Sequence, residues 1–351
     1  MYGTSNYPDK VIQAAAPDAL RLKMSGNANL PKGGSLHPIA DDLNLIEIVA
    51  AFNPKERTDH NAKNAARISG GMASPAFGTA ITAAAQTEFQ SGYDAAAEHL
   101  AGVRVVDAPN YLPYEVRMTD GGLTLELLPE NQPLGIEVQK VPNGEFIVLQ
   151  DFAKGGLMTR AEVINDDLSI LADTARATGV TSARLHSDLI AAKLESNPTL
   201  KDGSPTFIQG QNDFAGQVLS IATLGAAMAA LRNQQSPSGA VAGNKAAVLF
   251  VAGDIEAVAY SILKDSGMAL KIVCLPGLPD GRWYLSASPA VAPTIIAARL
   301  KNPGTSFLHA AWHSKFDSDA LRIEFAMTTA AVIVSRVGIV RAGGVAPAPE
   351  A

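Results

Sequence analysis

Cysteine is nearly absent: Cys274 stands alone in 351 residues, which excludes an internal disulfide framework and fits synthesis in a reducing compartment. Charge is also scarce, at 18% of residues against 47% hydrophobic, a balance that suits a surface largely covered by partners. There is no basic excess. The 28 Lys and Arg face 34 Asp and Glu for a net charge of −6, and no clustered Lys/Arg run occurs, which argues against tight wrapping by nucleic acid. No continuous apolar stretch reaches the ~20 residues of a membrane helix. The opening Met1-Tyr-Gly-Thr-Ser-Asn-Tyr-Pro8 lacks the basic and apolar regions of a signal peptide. A soluble product of the cytosol, with no membrane partner, is expected.

Catalytic signatures are missing as well. Gly239-Ala-Val-Ala-Gly243-Asn244-Lys245-Ala246 suggests a phosphate loop, but Asn244 stands where the second glycine belongs and Ala246 replaces the magnesium-binding hydroxyl. It also precedes its strand, where a phosphate loop follows one. The strand–Gly253–helix–strand order of 246–275 lacks Gly-x-Gly-x-x-Gly. His309 and His313 would share a helix face, yet Ala310 occupies the place where a zinc-peptidase helix needs Glu; with Trp312 and Phe316 nearby, they read as packing histidines. Cys274 sits in the apolar run Lys271-Ile-Val-Cys-Leu275, where a thiol is buried and inert. No Gly-x-Ser-x-Gly occurs. No catalytic residue, cofactor or metal is assigned, and the chain is not expected to be an enzyme.

What is present is one long helix. After Asn165-Asp166-Asp167 no proline intervenes until Pro198, enough for a rod about 45 Å long at 1.5 Å per residue. Asn165 is expected to be the N-cap. Asp166 and Asp167 would put negative charge at the positive end of the helix dipole, a role that accounts for both better than cation binding. Leu168, Leu171, Ala175, Leu185, Leu189, Ala192 and Leu194 fall at roughly helical spacing. Gly179 is the weak point, since glycine inside a helix costs about 1 kcal/mol relative to alanine.

The length predicts two or more structural units. Residues 1 to about 70 are broken by Pro8, Pro17, Pro31, Pro38 and Pro54, with only Lys10–Ala16 and Asp42–Phe52 regular; with so little core, this leader is expected to be ordered by other surfaces. Ser74-Pro75 opens a helix whose Phe77, Ile81, Ala85, Phe89 and Tyr93 form an apolar stripe. Tyr111–Thr119 and Phe146–Gln150 bound a long extended hairpin, marginal alone in water and expected to lie on a neighbouring subunit. A compact α/β stretch follows the long helix: Thr223–Arg232 helical, Ala246–Val251 a buried strand, Asp254 capping a helix through Leu263, and Leu270–Leu275 a strand. Further strands are expected at Trp283–Leu285, Thr294–Leu300, Leu321–Ala326 and Ala330–Val340, before a loose tail at Gly343–Ala351.

Asn165-Asp166-Asp167-Leu168 after Thr159-Arg160-Ala161-Glu162 resembles the spine-helix entry of tailed-phage major capsid proteins of the Hong Kong 97 type, nearest to the shell halves of prohead protease–capsid fusions. Asn197-Pro198, Asp202-Gly203 and Phe207, the run Leu219–Arg232, Trp283-Tyr284-Leu285 with Ser288-Pro289-Ala290, and Phe316–Asp319 leading into Leu321–Arg341 extend the resemblance over about residues 74–343. It implies an α+β fold with an N-terminal arm (1–73) and an arm helix region (74–110). An E-loop hairpin (111–150), a peripheral domain with the spine helix (151–200 and 309–343), an axial domain (201–308) and a loose tail (344–351) complete it. The leader departs from the fusions: it starts at Met1 and is expected to be retained. No Lys–Asn pair can be matched to the family's cross-link, Lys140 being suggestive by position alone. The implied function is self-assembly, as pentamers and hexamers, into an icosahedral head enclosing double-stranded DNA without sequence specificity. Decoration, portal and scaffold proteins are the implied partners. The virion is the implied location, with assembly in the host cytoplasm and Gly179 permitting the spine to bend during shell expansion. An encapsulin-like cargo compartment of the same fold and a cytosolic α/β enzyme using 246–300 are the alternatives.

Overall fold

The computed structural model describes residues 7–25, 36–52, 74–116, 144–159, 165, 168–236, 239–301, 306–314 and 320–344. Six helices lie among them: α1 (Asp9–Ser25), α2 (Leu45–Ala51), α3 (Pro75–Ala96), α4 (Ser169–Glu195), α5 (Ile221–Asn233) and α6 (Glu256–Ser266). The strands, in chain order, are β1 (Arg104–Ala108), β2 (Tyr114–Val116), β3 (Glu145–Ile147), β4 (Gln150–Thr159), β5 (Asp213–Ala215), β6 (Ala246–Val251), β7 (Lys271–Cys274), β8 (Arg282–Ala287), β9 (Ile295–Leu300), β10 (Leu308–Ser314), β11 (Ala320–Ile333) and β12 (Ile339–Gly343). The chain divides into two compact units, one of residues 1–96, 151–184 and 304–328, the other of 97–150, 185–303 and 329–351. Among the described residues no helix is long and apolar enough to cross a membrane.

The first unit is built on α3. Gly78 N–H donates to Ser74 O at 3.0 Å, which puts Ser74 at the cap and Pro75 in the first turn, where a missing N–H costs nothing. Phe77, Ile81, Ala85, Phe89 and Tyr93 are all fully buried, as their spacing requires. Phe77 stacks against Phe52 at 6.0 Å, Phe89 against Phe325 at 5.3 Å and Tyr93 against Phe307 at 5.3 Å between ring centroids. β10 pairs antiparallel with β11 from Leu308↔Met327 to Ser314↔Leu321, β4 also pairs with β11, and Gln86 of α3 exchanges hydrogen bonds with the β10 backbone at Leu308 and Ala310.

The leader corrects the expectation of an arm without a core. α1 runs from Asp9 to Ser25, straight through Pro17, and packs on both α2 and α3. An interior proline removes a helix hydrogen bond at a cost of ~3 kcal/mol. The burial of Ile12, Ala15, Ala16, Ala19 and Leu20 offsets it. Asn44 and Glu47 form a capping box on α2, and the Gln13 side chain donates to Ala51 O at its other end, 2.6 Å away. The described parts of the leader therefore rest on their own chain.

The long helix also departs from expectation at its start. Ser169 is its first residue, and the Leu168 carbonyl accepts the first helical bond, from Ala172 N–H at 2.9 Å. Asn165 is an exposed turn residue ahead of that point and does not cap the helix; Asp166 and Asp167 lie outside the described residues. The helix spans 27 residues, about 40 Å, and continues unbroken through Gly179. Gly179 sits at a close approach between backbones. A Cβ there would lie 2.2 Å from Phe89 O, and one on Gly92 would lie 2.1 Å from Arg176 O. Beside this crossing Arg176 binds Glu88, whose side chain is only 1% exposed, through Nη2 at 2.5 Å and Nε at 3.1 Å.

The second unit holds the five-stranded sheet β5-β12-β8-β6-β7. β6 and β7 are parallel and joined by α6, as a βαβ unit requires, while β8 is antiparallel to both β6 and β12. Leu249, Val251, Trp283, Leu285, Val340 and Ala342 pack under Leu224, Ala227 and Leu231 of α5 and Ala259 and Leu263 of α6. Val248, Phe250, Tyr284 and Ile339 pack with Ile190, Ala191 and Leu194 of α4. Both faces are covered, which is why 246–251 reads as a continuous apolar run. Arg341 and Asp213, register partners on β12 and β5, form a buried ion pair at 2.5 Å.

Two strand expectations are corrected here. Leu321–Ala326 and the start of Ala330–Val340 belong to one strand, β11, and β12 begins only at Ile339 after a turn at Gly338. That glycine has φ +103°, and a Cβ on it would meet Ala292 and Thr294 at 2.8 Å. Asp254 lies in a 3-10 turn ahead of α6 and, instead of capping the helix, accepts from Gly281 N–H at 2.9 Å.

The backbone contact at Gly92 and Gly179 makes a measurable prediction. Gly179→Ala overpacks the crossing and destabilises the protein by about 1–3 kcal/mol despite alanine's better helix propensity. Gly225→Ala, on α5 where nothing lies within 4 Å, is the matched control and keeps or raises Tm. Equal melting temperatures for the two variants would exclude the close-approach account.

Candidate functional site

The segment after α4 folds into a short loop that reaches the β2–β3 pair, the described base of the hairpin. Asn197 takes φ +43°, a conformation asparagine tolerates, and its side chain bonds both ways with the Phe207 backbone, at 2.7 and 3.2 Å. Thr206 closes the loop onto Pro198 O through N–H and hydroxyl, at 3.0 and 2.8 Å. At the turn, Gly203 adopts φ +82° and Ser204 N–H donates to Asp202 at 2.9 Å. Arg336 holds Asp202 through both carboxylate oxygens, at 2.6 and 2.8 Å.

Lys201 is presented by this loop to the hairpin. β2 and β3 pair antiparallel with Glu115 opposite Phe146 and Val116 opposite Glu145. The Lys201 ammonium donates to Glu115 at 3.1 Å and lies 4.2 Å over the Phe146 ring, while its backbone N–H donates to Glu145 at 2.7 Å. Glu115 also accepts from Gly144 N–H at 3.1 Å. Val116, Ile147 and Leu149 are buried with Ala108, Ile296, Ala298 and Leu300. The hairpin base is thus seated on apolar residues of its own chain and gripped by one lysine. Residues 117–143 and Lys140 lie outside the described residues. Around the base, Tyr111, Leu112, Tyr114, Phe146 and Val148 remain exposed, Leu112 by 69%, an apolar concentration of the kind that marks an interaction surface.

The candidates for chemistry do not come together. His309 and His313 lie on β10, not on a helix, and His313 faces Glu324 of β11 at 3.0 Å. Among the described residues no group of three His, Cys, Asp or Glu could hold a metal. Cys274 ends β7 half-buried, and burial, followed by Glu256, pushes its thiol up to about 11, so it is not a nucleophile at neutral pH. Gly239 and Gly243 lie ahead of β6 at positive φ in a loop that leads into the strand, the reverse of a phosphate loop.

The sequence profile of the phage capsid protein family matches residues 144–342, more than half of the chain. The chain belongs to that family. Its role is therefore that of a shell component, built into a virion capsid from many copies of one chain. Among solved structures, a phage-related protein of Bordetella bronchiseptica is similar at TM-score 0.51 and 7% identity, over 74% of this chain and 95% of that one. A virus-like particle from Pyrococcus furiosus gives 0.48 at 12% identity, over 74% and 97% of the two chains. The head of a Helicobacter pylori bacteriophage gives 0.43 at 9%, over 69% and 87%. The likeness to the Bordetella protein extends to the fold alone. No curated protein sequence matches the chain.

The lysine grip was not visible in sequence. Its members, 115, 145, 201, 202 and 336, are far apart, and the one local signal was the Asp202-Gly203 turn. Lys201→Met removes a charge-assisted contact worth about 1–2 kcal/mol. It is expected to raise the rate of limited proteolysis within 111–150 about tenfold, with the melting of the rest little changed. Unchanged cleavage would show that the apolar seat alone holds the hairpin.

Proposed function

We propose that the chain is the major capsid protein of a tailed bacteriophage, assembling as pentamers and hexamers into an icosahedral head around double-stranded DNA. The observation that carries this reading is the family match over 144–342, which takes in α4 and most of the second unit. In this reading residues 111–150 are an E-loop laid on a neighbouring copy, and the exposed apolar residues at its base begin that contact. Residues 151–200 and 309–343 form the peripheral domain, 201–308 the axial domain at the rotation axes, and 1–73, 74–110 and 344–351 the arm, arm helix region and tail. Assembly takes place in the host cytoplasm, with portal, scaffold and decoration proteins as further partners.

The mechanism is association without turnover. Each docked element buries apolar area at about 25 cal/mol per Å², and repetition around a closed shell multiplies modest contacts. The net charge of −6 lets packaged duplex move along the wall without being gripped.

Electron microscopy of the purified chain tests this. Closed isometric shells are expected, and particles from infected cells are expected to protect double-stranded DNA from nuclease. Phe146→Asp, at the exposed base of the hairpin, is expected to shift the product towards unassembled subunits. Shells filled with a protein cargo would replace the phage head by a nanocompartment. A small monomer with nucleotide affinity, by light scattering and titration, would overturn both.

A further inference from the structure

Two imidazoles are buried side by side in the second unit. His99 comes from the 3-10 turn Glu98–Gly102, and His186 from α4. They are 2% and 0% exposed, with ring centroids 4.8 Å apart at 71°. Thr329 of β11 lies 3.3 Å from His186 Nε2 and donates its own proton to Ala298 O at 2.9 Å, so the neutral Nε2–H form of His186 suits the site. The charged group that bears on both rings is Arg299 of β9. Ser187 is the buried polar neighbour on α4, and the carboxylate of the 3-10 turn, Glu98, bears on Cys274.

We propose that the His99–His186 pair, set against Arg299, is an acid-triggered release that opens the seam between the 98–102 turn, α4 from 185 to 190, and strands β9 and β11. Protonating either ring creates a cation in a dry site that already faces a guanidinium, and the second proton adds a like charge less than 5 Å away. The seam relieves this by admitting water.

Burial, then Arg299, holds His99 down at about 4, and burial, then His99 and Arg299, holds His186 at about 3. An unfolded histidine titrates near 6.5. Between that pH and the folded values the unfolded chain binds two protons that the folded unit refuses. Stability is therefore complete above pH ~6.5 and falls as pH falls through the window. At pH 5 each ring lowers the ratio of closed to open forms about thirty-fold.

Hydrogen exchange of the full chain at pH 7.5 and 5.0, corrected for intrinsic rates, tests the proposal in whatever assembly state the protein adopts. Peptides covering 97–103 and 185–192 are expected to lose protection more than tenfold at pH 5, ahead of those covering β6 and β8. The variant His99→Gln with His186→Gln is expected to keep its neutral-pH protection. Uniform loss across the unit, no loss, or the same loss in the double variant would overturn it. If that variant does not fold, Arg299→Gln retains both rings and is expected to shrink the acid effect. Imidazole resonances of the wild type titrating near 6.5 would also overturn it. None of these outcomes depends on shell formation.

Discussion

Two helices in the first unit meet backbone to backbone. Where α3 and α4 cross, Gly92 and Gly179 leave no side chain between them, and the carbonyls of Arg176 and Phe89 occupy the space that two Cβ atoms would fill. The rest of that unit follows from the crossing. Phe89 and Tyr93 flank Gly92 on α3, so fixing its height also fixes their stacking on Phe325 and Phe307. Arg176 is brought within reach of Glu88, a carboxylate that could not stay buried without a cation. Small residues here set geometry that larger ones then exploit.

The second unit solves a different problem. Its sheet is apolar on both faces, so it must be sandwiched, and α5 and α6 cover one side while the end of α4 packs on the other. A stiff body of this kind can carry a poorly self-supporting element. The hairpin base is seated on β9 residues and held by the loop that follows α4, and the same loop is tied to Arg336 just ahead of β12.

Local patterns were legible in the sequence wherever one physical signal dominated. Ser74-Pro75 and the apolar residues from Phe77 to Tyr93 fixed α3, and the unbroken run 246–251 marked a strand covered on both sides. The leader was misread because Pro17 looks like a stop, whereas buried alanines and leucines around it carry the helix through. Asn165 looked like a cap because Asn-Asp-Asp is a strong local signature, yet Leu168 rather than Asn165 provides the first helical acceptor. β11 was cut in two because Thr328 and Thr329 break the apolar run; both are buried, and Thr329 donates its hydroxyl proton to the neighbouring strand. The lysine grip and the histidine pair were invisible for one reason: each joins residues that only the folded topology brings together.

The hydrogen bonds of Lys201 have a mechanical side. Its two donors, a backbone N–H and an ammonium, engage carboxylates on opposite strands of the hairpin. A pull arriving along the hairpin would load both links in parallel, in shear, instead of peeling them one after the other. Such a joint resists tension along the strands and yields to sideways leverage, so one side chain makes the β2–β3 pair stiff in one direction and compliant in another.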